Sequence, residues 1–273
     1  MINKEKITIS IWKWLLSKVD EKIDKVHFKN RSHVIESLLR EWLKLRQDVW
    51  AIIISNENNW DSWDYPLDIP KSLIKIDNKT ILEKHLEMLK KANIEKCVLA
   101  VWFMWDKVKE FLKNKNFWIK IEFIDFNKED NSQKIIYNAT KKLKANKYLV
   151  ILWDNYFHDL SFTDFIYYHN TSDVSLSIVV KPIDITEGYG NIKLEWNNIV
   201  KFVERPKIKE DISFIVNAWV YLIDSWVIPE SSKNEKIEID FFPDFVRNNK
   251  AKAYFHNWKW FHFQNNETLN LFK

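Results

Sequence analysis

From residue 49 onward, short runs of apolar residues alternate with longer segments whose apolar residues fall at helical spacing. This alternation limits the fold more than any other feature of the chain. Val49-Trp50-Ala51-Ile52-Ile53-Ile54-Ser55 has no polar face, so both of its faces must be covered, as in a buried parallel strand. Ile81, Leu82, His85, Leu86 and Leu89 then line one side of a helix. Residues 97–101, 119–124, 148–152 and 174–180 read as further strands. The expected fold is α/β, a doubly wound and mostly parallel sheet with helices on both faces. Ligands of such sheets bind beyond the carboxyl ends of the strands. Asp154 stands at one of those ends, in Leu152-Trp153-Asp154-Asn155.

Residues 1–48 carry a different pattern. Lys6-Ile7-Thr8-Ile9-Ser10-Ile11 alternates with period two, which predicts a half-buried strand. Ile7, Ile9 and Ile11 would face a core, and Lys6, Thr8 and Ser10 would face out. Leu15, Leu16, Val19 and Ile23 mark a helix. Asn30-Arg31-Ser32 breaks it, with Ser32 the expected N-cap of a second helix carrying Val34, Ile35, Leu38, Leu39, Trp42 and Leu43. A unit this small cannot cover its strand alone. Strand, helix, cap and helix in this order resemble the ribbon-helix-helix family. The resemblance implies a homodimer in which two strands pair into one ribbon, and a ribbon that enters the major groove of double-stranded DNA. Lys6, Thr8 and Ser10 would then read base edges. Arg31 and Ser32, with the first amides of the second helix, would hold a phosphate. The outward face of the strand has one charge and the whole chain only +4. Dimerisation without DNA is therefore the alternative. The expected division of the chain is 1–48 and 49–273.

Composition adds limits. The single cysteine, Cys97, lies in an apolar run and reads as a small buried hydrophobe. The N-terminus lacks the apolar core of a signal peptide, and no apolar run approaches the ~20 residues of a membrane span. A cytoplasmic protein is the expectation.

Several landmarks follow one another through the second region. Pro70-Lys71-Ser72-Leu73 comes after the first strand. Ile81-Leu82-Glu83-Lys84-His85-Leu86 opens the first long helix. Leu152-Trp153-Asp154-Asn155, Tyr189-Gly190-Asn191-Ile192, Phe202-Val203-Glu204-Arg205-Pro206 and Val216-Asn217-Ala218-Trp219-Val220-Tyr221 complete the series. Together they resemble the sugar-1-phosphate nucleotidyltransferases. That family transfers a nucleotidyl group from a nucleoside triphosphate to a sugar 1-phosphate and releases pyrophosphate, which is largely a matter of positioning and charge neutralisation. The resemblance implies that Lys71 neutralises phosphate oxygens and that Asp154 holds Mg²⁺. Arg205 stands where the family has a phosphate-binding lysine. Glu204 and Asn217, beside Gly190, would bind the sugar hydroxyls.

The pattern also fails in places. The family's glycine-rich loop after the first strand is here Asn56-Glu57-Asn58-Asn59-Trp60-Asp61, with two anions where a triphosphate should lie. Its second metal-binding aspartate appears as His262, which is either a ligand for a softer metal beside Asp154 or a packed side chain. These losses leave an alternative function: a DNA-binding regulator whose second domain senses a sugar phosphate or nucleotide sugar without turning it over.

One departure has another form. The chain has 2 glycines and 15 tryptophans, where ordinary usage near ~7% would give about 19 glycines. Trp102, Trp118, Trp153, Trp196, Trp219 and Trp258 stand where the family carries glycine. The expectation is that UGA codons translated as tryptophan are decoded as glycine in the source cell.

Overall fold

The computed structural model describes residues 7–25, 28–42, 48–55, 69–113, 115–127, 130–184, 186–206, 213–228, 237–248, 250–257 and 259–263. The chain divides into two compact units, Met1–Leu45 and Arg46–Lys273.

The smaller unit holds α1 (Lys13–Asp20) and α2 (Arg31–Trp42), packed around Val19, Phe28 and Val34. Asn30 caps α2, because its Oδ1 accepts the His33 amide at 3.1 Å. Ser32, the expected cap, is instead an exposed residue inside the first turn. Arg31 is engaged by Asp20 at both ends of its guanidinium, Nε to Oδ1 at 2.7 Å and Nη2 to Oδ2 at 2.8 Å. That hydrogen-bonded guanidinium holds the Asp20 carboxyl below its ordinary range. Residues 7–12 form no strand, and Ile7 and Ile9 are 71% and 52% exposed. The expected half-buried strand is thus not made within one chain, because a ladder needs a second strand. Thr8 and Ser10 are exposed beside these isoleucines. Lys6 lies outside the described residues.

The larger unit opens with β1 (Val49–Ile54), then β2 (Lys75–Ile76), β3 (Lys79–Thr80) and α3 (Ile81–Lys91). Next come β4 (Lys96–Val101), α4 (Trp105–Lys113), β5 (Lys120–Asp125), α5 (Ser132–Lys142), β6 (Lys147–Leu152), β7 (Asn155–Phe157) and α6 (Phe162–Thr171). The remainder is β8 (Leu176–Pro182), β9 (Asn191–Glu195), β10 (Asn198–Val203), β11 (Ile215–Asp224), α7 (Phe242–Arg247), β12 (Ala251–Phe255) and β13 (Trp260–His262).

Nine strands form one sheet in the order β5-β4-β1-β6-β11-β8-β12-β10-β9. The half from β5 to β6 is parallel throughout, and β8 and β12 are parallel to each other. β10 and β11 run against the other strands. Alternate residues of β1 serve different faces. Val49, Ala51 and Ile53 pack with Leu82, Leu86, Val108, Phe162 and Phe165 of α3, α4 and α6. Ile52 and Ile54 pack with Ile135, Ile136 and Phe242 of α5 and α7. Helices on both faces make the unit doubly wound, which is why β1 has no polar side.

Local signals start the helices. Thr80 and Glu83 form a reciprocal capping box: Thr80 Oγ1 accepts the Glu83 amide at 3.1 Å and Glu83 Oε2 accepts the Thr80 amide at 2.8 Å. Asn131 and Ser161 cap α5 and α6. Each such cap is worth about 1 kcal/mol. At the end of the sheet opposite Asp154, His169 joins Ser177 Oγ at 2.8 Å to Asp224 Oδ1 at 3.3 Å, and Lys147 meets the same carboxylate at 2.6 Å. This buried network ties α6, β8, β11 and β6 together. Among the described residues no helix is long and apolar enough to cross a membrane.

Candidate functional site

Asp154 follows β6 at the carboxyl end of the parallel half-sheet and is buried. A short antiparallel pair brings a distant residue to it. In that pair His262 of β13 lies across from Asn155 of β7, and the Phe263 amide donates to the Asp154 carbonyl at 2.9 Å. His262 Nε2 comes to 3.4 Å from Asp154 Oδ2. Asn155 Nδ2 donates to Asp154 Oδ1 at 3.0 Å, and Trp260 Nε1 donates to Asn155 Oδ1 at 3.0 Å. Lys71, buried in the 3-10 turn Lys71–Leu73 after Pro70, directs its charge at the same carboxylate. Burial by itself would raise the Asp154 pKa. The His262 imidazole and the Lys71 ammonium outweigh burial and hold it below the ordinary carboxylate range. The carboxylate is therefore an anion at neutral pH.

Beneath this group is His85, fully buried on α3. Its Nε2 donates to the Asn155 carbonyl at 2.8 Å, whereas its Nδ1 is buried without a hydrogen-bond partner. Burial pushes the His85 pKa from the ordinary 6.5 down to about 4. His85 thus fixes the backbone that carries Asp154. The sequence offered it only as one more residue of a helix stripe.

His85 is neutral when folded and takes a proton near 6.5 when unfolded. Its stabilising contribution is complete above pH 6.5 and is lost as pH falls toward 4. The loss from this group alone amounts to about 2 kcal/mol by pH 5. Urea titrations at pH 7 and pH 5 should show a loss of stability in the parent chain that exceeds the loss in His85→Gln, which keeps a side-chain N–H donor, by about 2 kcal/mol, since His169 and His256 contribute equally to both.

The second half of the site forms around Gly190. A Cβ there would lie 2.6 Å from Glu204 Oε2 and 3.1 Å from Phe202 Cζ, so only glycine lets Glu204 come this close. The Gly190 carbonyl accepts the Asn217 amide at 2.8 Å. Asn217 is fully buried, with Oδ1 on the Trp219 amide at 2.9 Å and Nδ2 on the Tyr221 hydroxyl at 2.7 Å. The Tyr221 hydroxyl donates onward to Glu238 Oε1 at 3.4 Å, and Ser132 Oγ at the start of α5 donates to Glu238 Oε2 at 3.0 Å. Arg205 is half-exposed with its Nε 3.6 Å from Glu204 Oε1.

The structure therefore gathers Gly190, Glu204, Asn217 and Arg205 on one side, and Lys71, Asp154 and His262 on the other. Tyr189 and Trp219 join the two groups. The Trp219 ring is 4.4 Å from His262 and 5.4 Å from Tyr189, and Trp260 lies parallel to His262 at 6.1 Å. Asn155 and Tyr221 stand inside two of the sequence landmarks but carried no role there, and Glu238 and Ser132 gave no signal, because what these four do depends on partners such as Trp260 and Glu238 far away in the chain. The loop 56–61 lies outside the described residues.

A sequence profile described as nucleotidyl transferase matches residues 63–261. The chain belongs to the nucleotidyl transferase family. The profile match begins beyond β1 and beyond the anionic loop at 56–61. Relatives of this chain include a D-glycero-alpha-D-manno-heptose 1-phosphate guanylyltransferase of Campylobacter jejuni, 27% identical over 68% of this chain and 79% of the relative. A bifunctional GlmU protein of Methanococcus maripaludis is 31% identical over 58% of this chain but only 36% of its own length. The fold is that of HddC from Yersinia pseudotuberculosis, with a TM-score of 0.66, 22% identity and coverage of 82% of this chain and 97% of that one. A putative glucose-1-phosphate thymidylyltransferase from Bacillus anthracis has a TM-score of 0.73 at 16% identity, with 82% and 93% covered.

Proposed function

We propose that the larger unit couples a nucleoside triphosphate to a sugar 1-phosphate, forming a nucleotide sugar and pyrophosphate. The observation that carries this reading is Asp154: a buried carboxylate, kept ionised by Lys71 and His262 at the carboxyl end of the parallel half-sheet. An oxygen of the sugar phosphate attacks the α-phosphorus, the bond to the β-phosphate oxygen breaks, and pyrophosphate leaves. The reacting oxygens are all anionic, so neutralising and orienting them accounts for most of the rate. Lys71 supplies a fixed positive charge. Glu204 and Asn217, beside Gly190, orient the sugar, and Arg205 at the exposed rim meets its phosphate.

Magnesium fits this site in a limited way. Asp154 gives one hard oxygen donor, and Mg²⁺ commonly takes one or two carboxylates with the rest from substrate phosphates and water. Among the described residues there is no group of three or more His, Cys, Asp or Glu side chains that could cage it. Asp154 would thus hold an ion delivered with the nucleotide, with His262 Nε2 as the adjacent nitrogen. When bound, Mg²⁺ supplies charge neutralisation at the phosphates.

The name of the Campylobacter jejuni relative makes GTP with a manno-heptose 1-phosphate the first pair to test. Formation of labelled nucleotide sugar from labelled triphosphate, dependent on the sugar phosphate, supports the reading. Binding of a nucleotide sugar without formation from any pair favours a sensor.

A specific observation also favours a role for the smaller unit. Ile7 and Ile9 are exposed on a segment whose alternating pattern fits a strand. A second copy pairing there would cover them and give the homodimer of the ribbon-helix-helix resemblance. In that dimer Lys6, Thr8 and Ser10 would face DNA. Arg31 would have to leave Asp20 to meet a phosphate. Sedimentation of the full chain should give a dimer that Ile9→Lys dissociates. A monomer at every concentration would remove this reading, and no mobility shift of genomic fragments at low salt would remove the DNA contact.

A further inference from the structure

The backbone contains left-handed positions that its side chains do not suit. Among the described residues, those with positive φ other than glycine include Asp77, Asn78, Asn93, Asp159 and Asp173. Short Asn and Asp side chains adopt this conformation readily. Asp77 and Asn78 form the two-residue turn between β2 and β3 that this chemistry favours. The others are Lys25, Met104 and Arg205, with three tryptophans: Trp118 at φ 58°, Trp196 at 60° and Trp219 at 53°. Tryptophan is 15 of 273 residues, yet it supplies half of these six positions. A left-handed L-residue crowds its Cβ against the next carbonyl, so for a bulky side chain such a φ is an outlier.

Two of the three, Trp196 and Trp219, sit where a glycine has a known use. Trp196 is the first residue of the two-residue turn joining β9 to β10, and Asn197 after it is not left-handed. That combination is the type II′ pattern, which places glycine first. The Trp196 side chain is 94% exposed, so no packing compensates its backbone. Trp118 lies in the loop before β5, followed by Ile119 and then the strand, and is 74% exposed. Trp219 lies inside β11, where the register against β8 shifts between Asn217 and Tyr221. A left-handed residue at such an irregularity is a usual place for glycine. Trp102 and Trp153 give a second kind of sign: both indole N–H groups are buried with no hydrogen-bond partner.

We propose that the polypeptide made in the source cell carries glycine, not tryptophan, at 118, 196 and 219. A UGA triplet accounts for this. It is one base from the tryptophan codon UGG and one base from the glycine codon GGA. Read as tryptophan on paper and as glycine in the cell, it produces a chain with scarce glycine and surplus tryptophan. At 219 the change reaches the site. The indole lies against His262 and Tyr189, next to Asp154. Glycine there frees the space of an aromatic side chain where a substrate ring can enter. This last step rests on the proposed reaction, whereas the glycine assignment does not.

Codons and masses test the assignment directly. The expected result is UGA at codons 118, 196 and 219, with glycine masses in peptides of the protein isolated from its source cells. UGG codons or tryptophan masses overturn it. A stability measurement provides a second, independent arm. Trp118→Gly with Trp196→Gly, both remote from the residues of the site, should raise the melting temperature of the recombinant chain by about 5 °C. An unchanged or lower melting temperature counts against the proposal. Glycine found in the native peptides, with no turnover of any substrate pair, upholds the assignment and sinks the proposed reaction instead.

Discussion

Asp154→Asn should lower nucleotide-sugar formation about a thousandfold while the fold persists. A fall of that size corresponds to about 4 kcal/mol of lost charge stabilisation at the reacting phosphates, at 1.36 kcal/mol per factor of ten. Asparagine keeps the shape of the side chain and can still contact Asn155. It removes the anion that Lys71 and His262 surround. Two buried groups then face a neutral partner, so the melting temperature should also fall modestly. Steady-state rates with both substrates saturating, alongside circular dichroism of the variant, separate the effects. A rate within tenfold of the parent chain would remove Asp154 from the chemistry.

Gly190→Ala should raise KM for the sugar phosphate about 10- to 100-fold, with little change in stability. The added Cβ would come within 2.6 Å of Glu204 Oε2. Glu204 must yield, and it can, because the crowded atom is the far end of a flexible side chain. The fold therefore tolerates the change, but the carboxylate leaves the place where a sugar hydroxyl would meet it. Losing one charged hydrogen bond is worth about 1.5–3 kcal/mol. An unchanged KM would show that Glu204 does not touch the sugar, and a large fall in melting temperature would show that Gly190 is structural.

The α/β unit was legible because its signals are local. The apolar run at β1 and the stripe of α3 identify themselves, and the strand expected at 148–152 is β6 to within a residue. The strand at 119–124 is β5 displaced by one position, and that expected at 174–180 is β8 displaced by two. What the sequence could not carry was anything decided by a partner. The alternating segment at 7–11 has a strand's pattern, but a strand exists only when another strand pairs with it. Ser32 and Asn30 are both good caps, and the one whose side chain reached an amide was settled by the turn. His85 acquires its role only through Asn155, seventy residues later. The Tyr221–Glu238 link is likewise invisible until β11 and the segment before α7 lie side by side. His262 was found as a candidate, and the β7–β13 pairing explains how it meets Asp154.

The glycine assignment and the reaction converge on Trp219. With tryptophan there, an indole stands beside the groups that would handle phosphate. The most direct test of the proposed reaction is pyrophosphate release by Trp219→Gly protein, over a panel of nucleoside triphosphates and sugar 1-phosphates. The expected result is turnover of one pair, absent when Asp154→Asn is added and weaker in the tryptophan form. No release from any pair, from a folded protein that carries glycine at 219, would contradict it.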